Sequence, residues 1–252
     1  MENIQNEILT LNENDIPNTE SSKNNFLKKV TFNTASAKDY ATNEAFKTLR
    51  TNIFFCGNDI KIILVTSCRE NEGKSTISTE LAKSLAESGK KSLLIDADMR
   101  KSIMLKKRKK TSSDVSGLSE ILSGMCSLND AIYNTQLENF DVIFSGPFPP
   151  NPVELIGFGN FERLLNILKE RYDYIIIDSP PLGQVVDAAV IASYCDAAIM
   201  VISARKTSRK EALDVKNQLE KSNCWLLGAV LNETERRGVY SIKKYYGKYN
   251  YR

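Results

Sequence analysis

Gly73, Lys74, Ser75 and Thr76 follow the apolar run Ile62, Ile63, Leu64 and Val65 after one polar turn, an order of residues suited to holding a phosphate. Glycine lets the backbone turn so that amide N–H groups point at an anion, lysine supplies a cation for β- and γ-phosphates, and a hydroxyl is a ligand for Mg²⁺. The stretch KIILVTSCRENEGKST, Lys61 to Thr76, therefore reads as a buried strand, a phosphate-binding loop and the start of a helix. Cys68 stands where the pattern G-x-x-x-x-G-K-[ST] has its first glycine, and Asn71 fills a position where glycine is common. Asparagine tolerates positive φ better than most residues, so the turn is expected to survive. A G-K-S between a strand and a helix also arises by chance; two further stretches argue against that.

The first is LLIDADMR, residues 93–100, a buried strand that ends in Asp96 and Asp98 with Arg100 beside them. The second is Ile175-Ile176-Ile177-Asp178-Ser179-Pro180-Pro181, a β-branched run with a carboxylate at its tip. A lone aspartate after a strand is more often a helix cap. In open α/β sheets, however, the carboxyl ends of the strands border the ligand crevice. Asp96, Asp98 and Asp178 are thus expected to meet the phosphates and Mg²⁺ brought by Lys74 and Ser75.

The elements that must position these groups follow from periodicity. Ile77, Leu81 and Leu85 form the stripe of a helix that Gly89 can end. From Tyr40 a helix is expected with Phe46, Leu49 and Ile53 inward and Glu44, Lys47 and Arg50 as a charged stripe, which by spacing alone is a solvated face. Residues 117–133 read as short helices, 140–144 as a strand and 145–152, SGPFPPNP, as a proline-stiffened loop. Residues 153–171 read as one long amphipathic helix with Leu155, Phe158, Phe161, Leu164, Leu165 and Leu168 on its apolar side. Strands at 197–203 and 225–231 flank a helix from Ser208 to Lys221. Strands alternating with helices predict a doubly wound, mainly parallel α/β sheet, the P-loop NTPase fold. The expected organisation is a flexible segment over residues 1–38, one domain over 39–238 and a tail over 239–252.

Composition narrows the chemistry. The 252 residues contain no histidine and five cysteines without a C-x-x-C pair, which excludes familiar zinc sites and Ser/His or Cys/His catalysis. The cysteines read as reduced and cytosolic. A net charge of +3 does not suggest a general nucleic-acid binder. No apolar run approaches the roughly 18 residues that span a bilayer, and the amino terminus lacks the order of a signal peptide, so membrane association is expected to come from a partner. Residues 100–110 carry seven basic side chains, read as a solvated loop or as a contact for an acidic substrate or anionic lipid. Tyr240, Tyr245, Tyr246, Tyr249 and Tyr251 lie in a hydrophilic end where packing has no use for them; exposed phenols there could be modified.

The chain resembles the cytoplasmic bacterial tyrosine kinases that govern capsular and extracellular polysaccharide export. The resemblance runs from about Tyr40 to Arg252 and rests on the modified loop ending GKST, on LLIDADMR, IIIDSPP and PPNPVEL, and on the tyrosine cluster. It implies a kinase that uses MgATP to phosphorylate tyrosines, foremost Tyr240, Tyr245, Tyr246, Tyr249 and Tyr251 of a neighbouring copy. By position it makes Asn71, Glu72, Gly73, Lys74, Ser75 and Thr76 the ATP-binding loop, with Lys74 on the phosphates and Ser75 on Mg²⁺. Asp96 becomes the base or a ligand of metal-bound water, Asp98 and Asp178 complete the acidic pocket, and Asn232 faces adenine. The family's E-x-x-R-x-x-R oligomerisation motif appears as Glu44, Lys47 and Arg50, where lysine lacks arginine's bidentate fork. The resemblance further implies a ring-forming oligomer, activation by the cytoplasmic end of a membrane protein, protein substrates in polysaccharide synthesis and a cytoplasmic location at the inner face of the membrane.

Two other readings share the residues. A switch ATPase similar to the septum-site and plasmid-partition proteins would use the same loop and IIIDSPP, with Arg69 at its signature-lysine position. A regulatory scaffold that binds nucleotide without chemistry would not need the full set Lys74, Ser75, Asp96, Asp98 and Asp178.

Overall fold

The computed structural model describes residues 29–30, 40–102, 104, 115–157, 159–204 and 206–234. The expectations for the basic run 105–110, for Phe158 and for the tail tyrosines Tyr240, Tyr245, Tyr246, Tyr249 and Tyr251 lie outside these residues.

The apolar runs form strands because each is buried on both faces and so needs no alternation of polar residues. Strands β2 (Ile62–Ser67), β3 (Ser92–Asp96) and β6 (Tyr174–Asp178) are buried throughout. They sit in an eight-stranded sheet with β1 (Lys29–Val30), β4 (Ile132–Thr135), β5 (Phe140–Ile143), β7 (Ala197–Ser203) and β8 (Trp225–Asn232), in the order β1-β4-β5-β3-β6-β2-β7-β8. Every neighbouring pair is parallel except β4 with β5. Helices cover both faces. Ile63, Val65, Leu94 and Ile176 pack toward α1 (Tyr40–Phe55) and α2 (Lys74–Glu87). Ile62, Leu64, Leu93, Ile95, Ile175 and Ile177 join the opposite core. That core takes in α3 (Leu118–Leu122), α4 (Leu128–Ala131), α5 (Pro152–Gly157), α6 (Asn160–Lys169), α7 (Asp187–Ala192) and α8 (Arg209–Lys221).

The predicted fold class is the one observed, and α2 carries Ile77, Leu81 and Leu85 inward, with Gly89 at φ +85° just beyond its end. Helix α8 starts where Ser208 and Glu211 form a reciprocal capping box. Three local expectations are corrected, and one element was missed. The long helix over 153–171 is two helices, α5 and α6, because Gly159 enters α6 in the left-handed region at φ +81°, where the chain cannot continue a right-handed helix. Ile132 and Tyr133, expected within short helices, begin β4, which runs on to Thr135; Tyr133 is buried there against Phe144, edge to ring. Lys29 and Val30, placed in a flexible segment, pair in parallel with Asn134 and Thr135, and Val30 enters the core. Helix α7 was not anticipated, its six residues being too short for a periodic signal.

The strand order decides the site. The chain runs from β2 to β3 without pairing them, and β6 later fills the place between. The carboxyl ends of β2, β6 and β3 therefore stand side by side, with Val65 opposite Asp178 and Asp178 opposite Asp96.

Candidate active site

The loop between β2 and α2 turns through two residues in left-handed conformation, Asn71 at φ +59° and Gly73 at φ +95°. Asparagine thus supplies the geometry that glycine more often supplies. Cys68 is buried, its sulfur 4.0 Å from the Met200 sulfur, and burial pushes its thiol up to about 12, so it is a packing residue and no nucleophile. Gly183 lies so close beneath the loop that a Cβ there would come within 2.3 Å of the Cys68 carbonyl oxygen.

Glu72 faces inward. Its carboxylate accepts from the Arg69 amide at 2.8 Å, from the Ser203 amide and from the Thr207 hydroxyl, so it braces the loop against the turn after β7. Asn232, expected at the adenine, donates from Nδ2 to the Glu72 carbonyl at 2.9 Å. Gly73 fits beneath that amide: an added Cβ would sit 2.1 Å from Asn232 Nδ2. Gly73→Ala is therefore expected to displace Asn232 as well as to strain the left-handed turn, at a cost of about 1–3 kcal/mol. Nucleotide titration should then show affinity about tenfold weaker, at 1.4 kcal/mol per factor of ten. Unchanged binding would place Asn232 outside the nucleotide's reach.

Lys74 opens α2 and is only 7% exposed; its charge is felt by Asp178 and Asp98, whose proton affinities it lowers. Asp96 and Asp178, register partners on adjacent strands, are each 1% exposed. Burial drives the proton affinity of both above the ordinary carboxylate range; the Asp178 charge raises that of Asp96 further, and the Asp98 charge adds to that of Asp178. Hydroxyls offset part of this. Ser78 donates to Asp178 at 3.2 Å and Ser75 also bonds it, while Ser102 donates to Asp96 at 2.5 Å. Asp98 lies beyond the strand end and is partly exposed; its amide donates to Asp96 at 3.2 Å, and its carboxylate accepts from the Lys101 amide at 3.0 Å.

The structure places Lys74, Ser75, Asp96, Asp98 and Asp178 near one another at the carboxyl ends of β3 and β6 and the start of α2. It does not gather the carboxylates into a cage: among the described residues no three His, Cys, Asp or Glu side chains could hold a metal ion unaided. Hard oxygen donors from one hydroxyl and paired carboxylates nevertheless fit Mg²⁺, which keeps several waters and takes ligands from nucleotide phosphates.

Several contributors escaped the sequence reading. Ser78 and Ser102 are common residues whose relevance appears only when Asp178 and Asp96 are placed against them. Asp187 accepts a bidentate contact from Arg100, Nε to Oδ2 at 2.6 Å and Nη2 to Oδ1 at 3.0 Å. Arg69, the residue that kept the switch-ATPase reading open, is held on its own chain by Glu211 at 2.6 Å. The charged stripe on α1 is split: Lys47 pairs with Glu44 at 2.8 Å, whereas Arg50 turns to α2 and donates to the Ser84 carbonyl and hydroxyl.

Comparison with known proteins agrees with this geometry. The family model described as an AAA domain matches residues 60–222. Tyrosine-protein kinase CpsD of Streptococcus agalactiae is 45% identical over 208 residues, covering 82% of this chain and 90% of that one. The solved chimerical protein CapA2B2 matches with a TM-score of 0.74 and 31% identity over 83% of this chain and 94% of its own. The septum site-determining protein MinD of Pyrococcus horikoshii, solved with Mg-ADP, shares the fold at a TM-score of 0.59 and 26% identity, covering 73% of this chain and 76% of its own. Identity and coverage both favour the kinases over the switch ATPase. The chain belongs to the CpsD, CapB and YwqD family of bacterial tyrosine kinases of capsular polysaccharide synthesis, and it is a protein-tyrosine kinase.

Proposed function

We propose that transfer of the ATP γ-phosphoryl group to a tyrosine takes place at the carboxyl ends of β2, β6 and β3, with each residue in a separate role. The observation that carries this is the closeness of Lys74, the α2 amino terminus and the buried register partners Asp96 and Asp178. Amides of residues 71–76 and the Lys74 ammonium hold the β- and γ-phosphates, and Asn232 bounds the site on the adenine side. Ser75 and Asp178, with Asp96 and Asp98 through water, would hold Mg²⁺, which supplies charge neutralisation of the transferring group. The tyrosine oxygen forms the new P–O bond as the bond to ADP breaks, and the phenol proton passes to Asp96, whose raised proton affinity suits it as base. Incubation with labelled ATP and Mg²⁺ tests this reading: phosphotyrosine should form, whereas phosphate release without phosphotyrosine would mark a switch ATPase.

The acceptors are Tyr240, Tyr245, Tyr246, Tyr249 and Tyr251 of a neighbouring copy within a ring. Support for self-association comes from the cleft of about 170 Å³ between α1 and α2, bordered by Tyr40, Glu44, Phe46, Lys47 and Lys83. Tyr40 is 80% exposed at its rim. Surface ion pairs contribute only about 0–1 kcal/mol each, so several must act together. Since Arg50 is engaged on Ser84, Glu44 and Lys47 carry the outward part, and light scattering on Glu44→Ala with Lys47→Ala should show a lower mass than the oligomeric parent; an unchanged mass refutes the role.

Among the described residues no helix is long and apolar enough to cross a membrane. The likeness to a protein solved as a chimera supports activation by a second polypeptide, here the cytoplasmic end of a membrane protein, which would recruit the kinase to the inner face of the membrane. Its protein substrates then belong to polysaccharide synthesis. Adding that activator fragment should accelerate transfer; a rate already full without it counts against this partner.

A further inference from the structure

We infer that Asp187 is a positioning residue for Asp98, acting through Arg100. The inference rests on the reading of Asp98 as a carboxylate of the phosphate pocket.

Past Asp96 the sheet ladder ends with one bond, from the Ala97 amide to the Asp178 carbonyl at 2.8 Å. The turn 98–102 is beyond the sheet and must be held by side chains. Four of its bonds are made by the pocket carboxylates themselves: Asp98 N–H to Asp96, Arg100 N–H and Lys101 N–H to Asp98, and Ser102 Oγ–H to Asp96. Those oxygens also engage cations, water or the acceptor during transfer, so their hold on the turn is shared with that work and weakened at that moment. Two tethers spend no pocket oxygen. Lys101 reaches Glu70 of the phosphate loop at 2.5 Å, with both side chains about half exposed, and an exposed pair of this kind contributes little. Arg100 grips Asp187 through two parallel bonds, and Asp187 is 4% exposed at the first turn of α7. A planar fork on a buried carboxylate fixes both distance and orientation.

Stability alone does not account for this pair. Withdrawing a carboxylate from water costs several kcal/mol, and a well-packed apolar pair of similar volume is often at least as stable. Direction is what the apolar pair would lack. The aspartate at the amino end of α7 is nine residues beyond Asp178 on the same chain segment, so the clamp joins the turn after β3 to the turn after β6, the two that carry the acidic pocket.

Asp187→Asn keeps the volume and one acceptor but removes the charge; Arg100→Lys keeps the charge and removes the fork at a half-exposed side chain that folding tolerates. Each is expected to lower kcat per folded molecule about 10–100-fold with little change in KM for ATP, the loss that misplacement of a reacting group produces. In nucleotide-free protein, amide exchange at residues 98–102 should quicken in both variants while β3 and β6 stay protected. A double-mutant cycle then isolates the mechanism. If Asp187 acts through Asp98, Asp187→Asn combined with Asp98→Ala is no slower than Asp98→Ala alone. Multiplying losses, or an unchanged kcat in Arg100→Lys, overturns the inference. An unchanged kcat in Asp98→Ala by itself overturns instead the reading on which the inference rests.

Discussion

Lys74→Met is expected to reduce phosphotyrosine formation by about 10²–10³-fold, the loss typical when one preorganised charge at a transition state is removed. The side chain is 7% exposed, yet its charge acts on Asp98 and Asp178. Methionine matches the length and packs readily. The structural consequence is electrostatic: without the cation, Asp178 and Asp98 lose the charge that now draws their proton affinities down. Both should hold protons more tightly, and nucleotide affinity should fall with the rate. Transfer of labelled phosphate, expressed per folded molecule after a thermal-denaturation control, provides the measurement. A variant that still phosphorylates tyrosine at the parent rate would remove Lys74 from the site.

Asp96→Asn should act in opposite directions on catalysis and stability. Transfer is expected to fall by about 10²–10⁴-fold, the contribution of a positioned general base. Stability in metal-free buffer should rise at neutral pH by a few degrees in melting temperature, the shift that about 1 kcal/mol produces in a domain of this size. The sign follows from the direction of the shift. Burial and the neighbouring Asp178 raise the Asp96 proton affinity, so the folded chain binds this proton more tightly than the unfolded chain. Ionisation therefore penalises the folded state at every pH above the unfolded carboxylate value of roughly 4, and the penalty grows until pH passes the raised folded value. Asparagine removes the penalty and keeps an acceptor for the Asp98 amide. The gain should fade as pH falls toward about 4, where parent and variant are both neutral. Melting curves across that range, run with a chelator, decide the matter: an Asn variant less stable at neutral pH would show that the Asp96 charge is compensated in the apo fold. Retained activity would remove it as base.

Periodicity and composition were enough for the class of fold, because the apolar runs 62–65, 93–95 and 175–177 make up the bodies of β2, β3 and β6, and only a sheet covered on both faces buries such runs. The same runs pointed to the strand ends, since Asp96 and Asp178 close β3 and β6 and Lys74 opens α2 one loop after β2, and strand ends are where an open sheet leaves room for a ligand. The motif residues Asn71 and Gly73 also revealed their turn in advance, through the residue types that tolerate positive φ. Local pattern misled where the signal was short: β4 has four residues and α7 six, and one glycine at φ +81° divides what apolar spacing alone joins into a single helix.

Strand order was beyond the sequence. Nothing in the residues between β2 and β3 states that β6 will enter between them, yet that insertion makes Asp178 and Asp96 register partners, so that the Asp178 charge adds to the burial that raises the proton affinity of Asp96. Nor does the sequence show that Glu72 faces inward, that Asn232 holds the loop's carbonyl, that Arg50 leaves its stripe for Ser84, or that Arg100 takes Asp187 as its partner. Each of these contacts joins residues from distant parts of the chain. Short-range periodicity reports which face of an element is apolar; which polar groups will share that buried space is settled only when the elements pack, through the need of every buried donor, acceptor and charge for a partner.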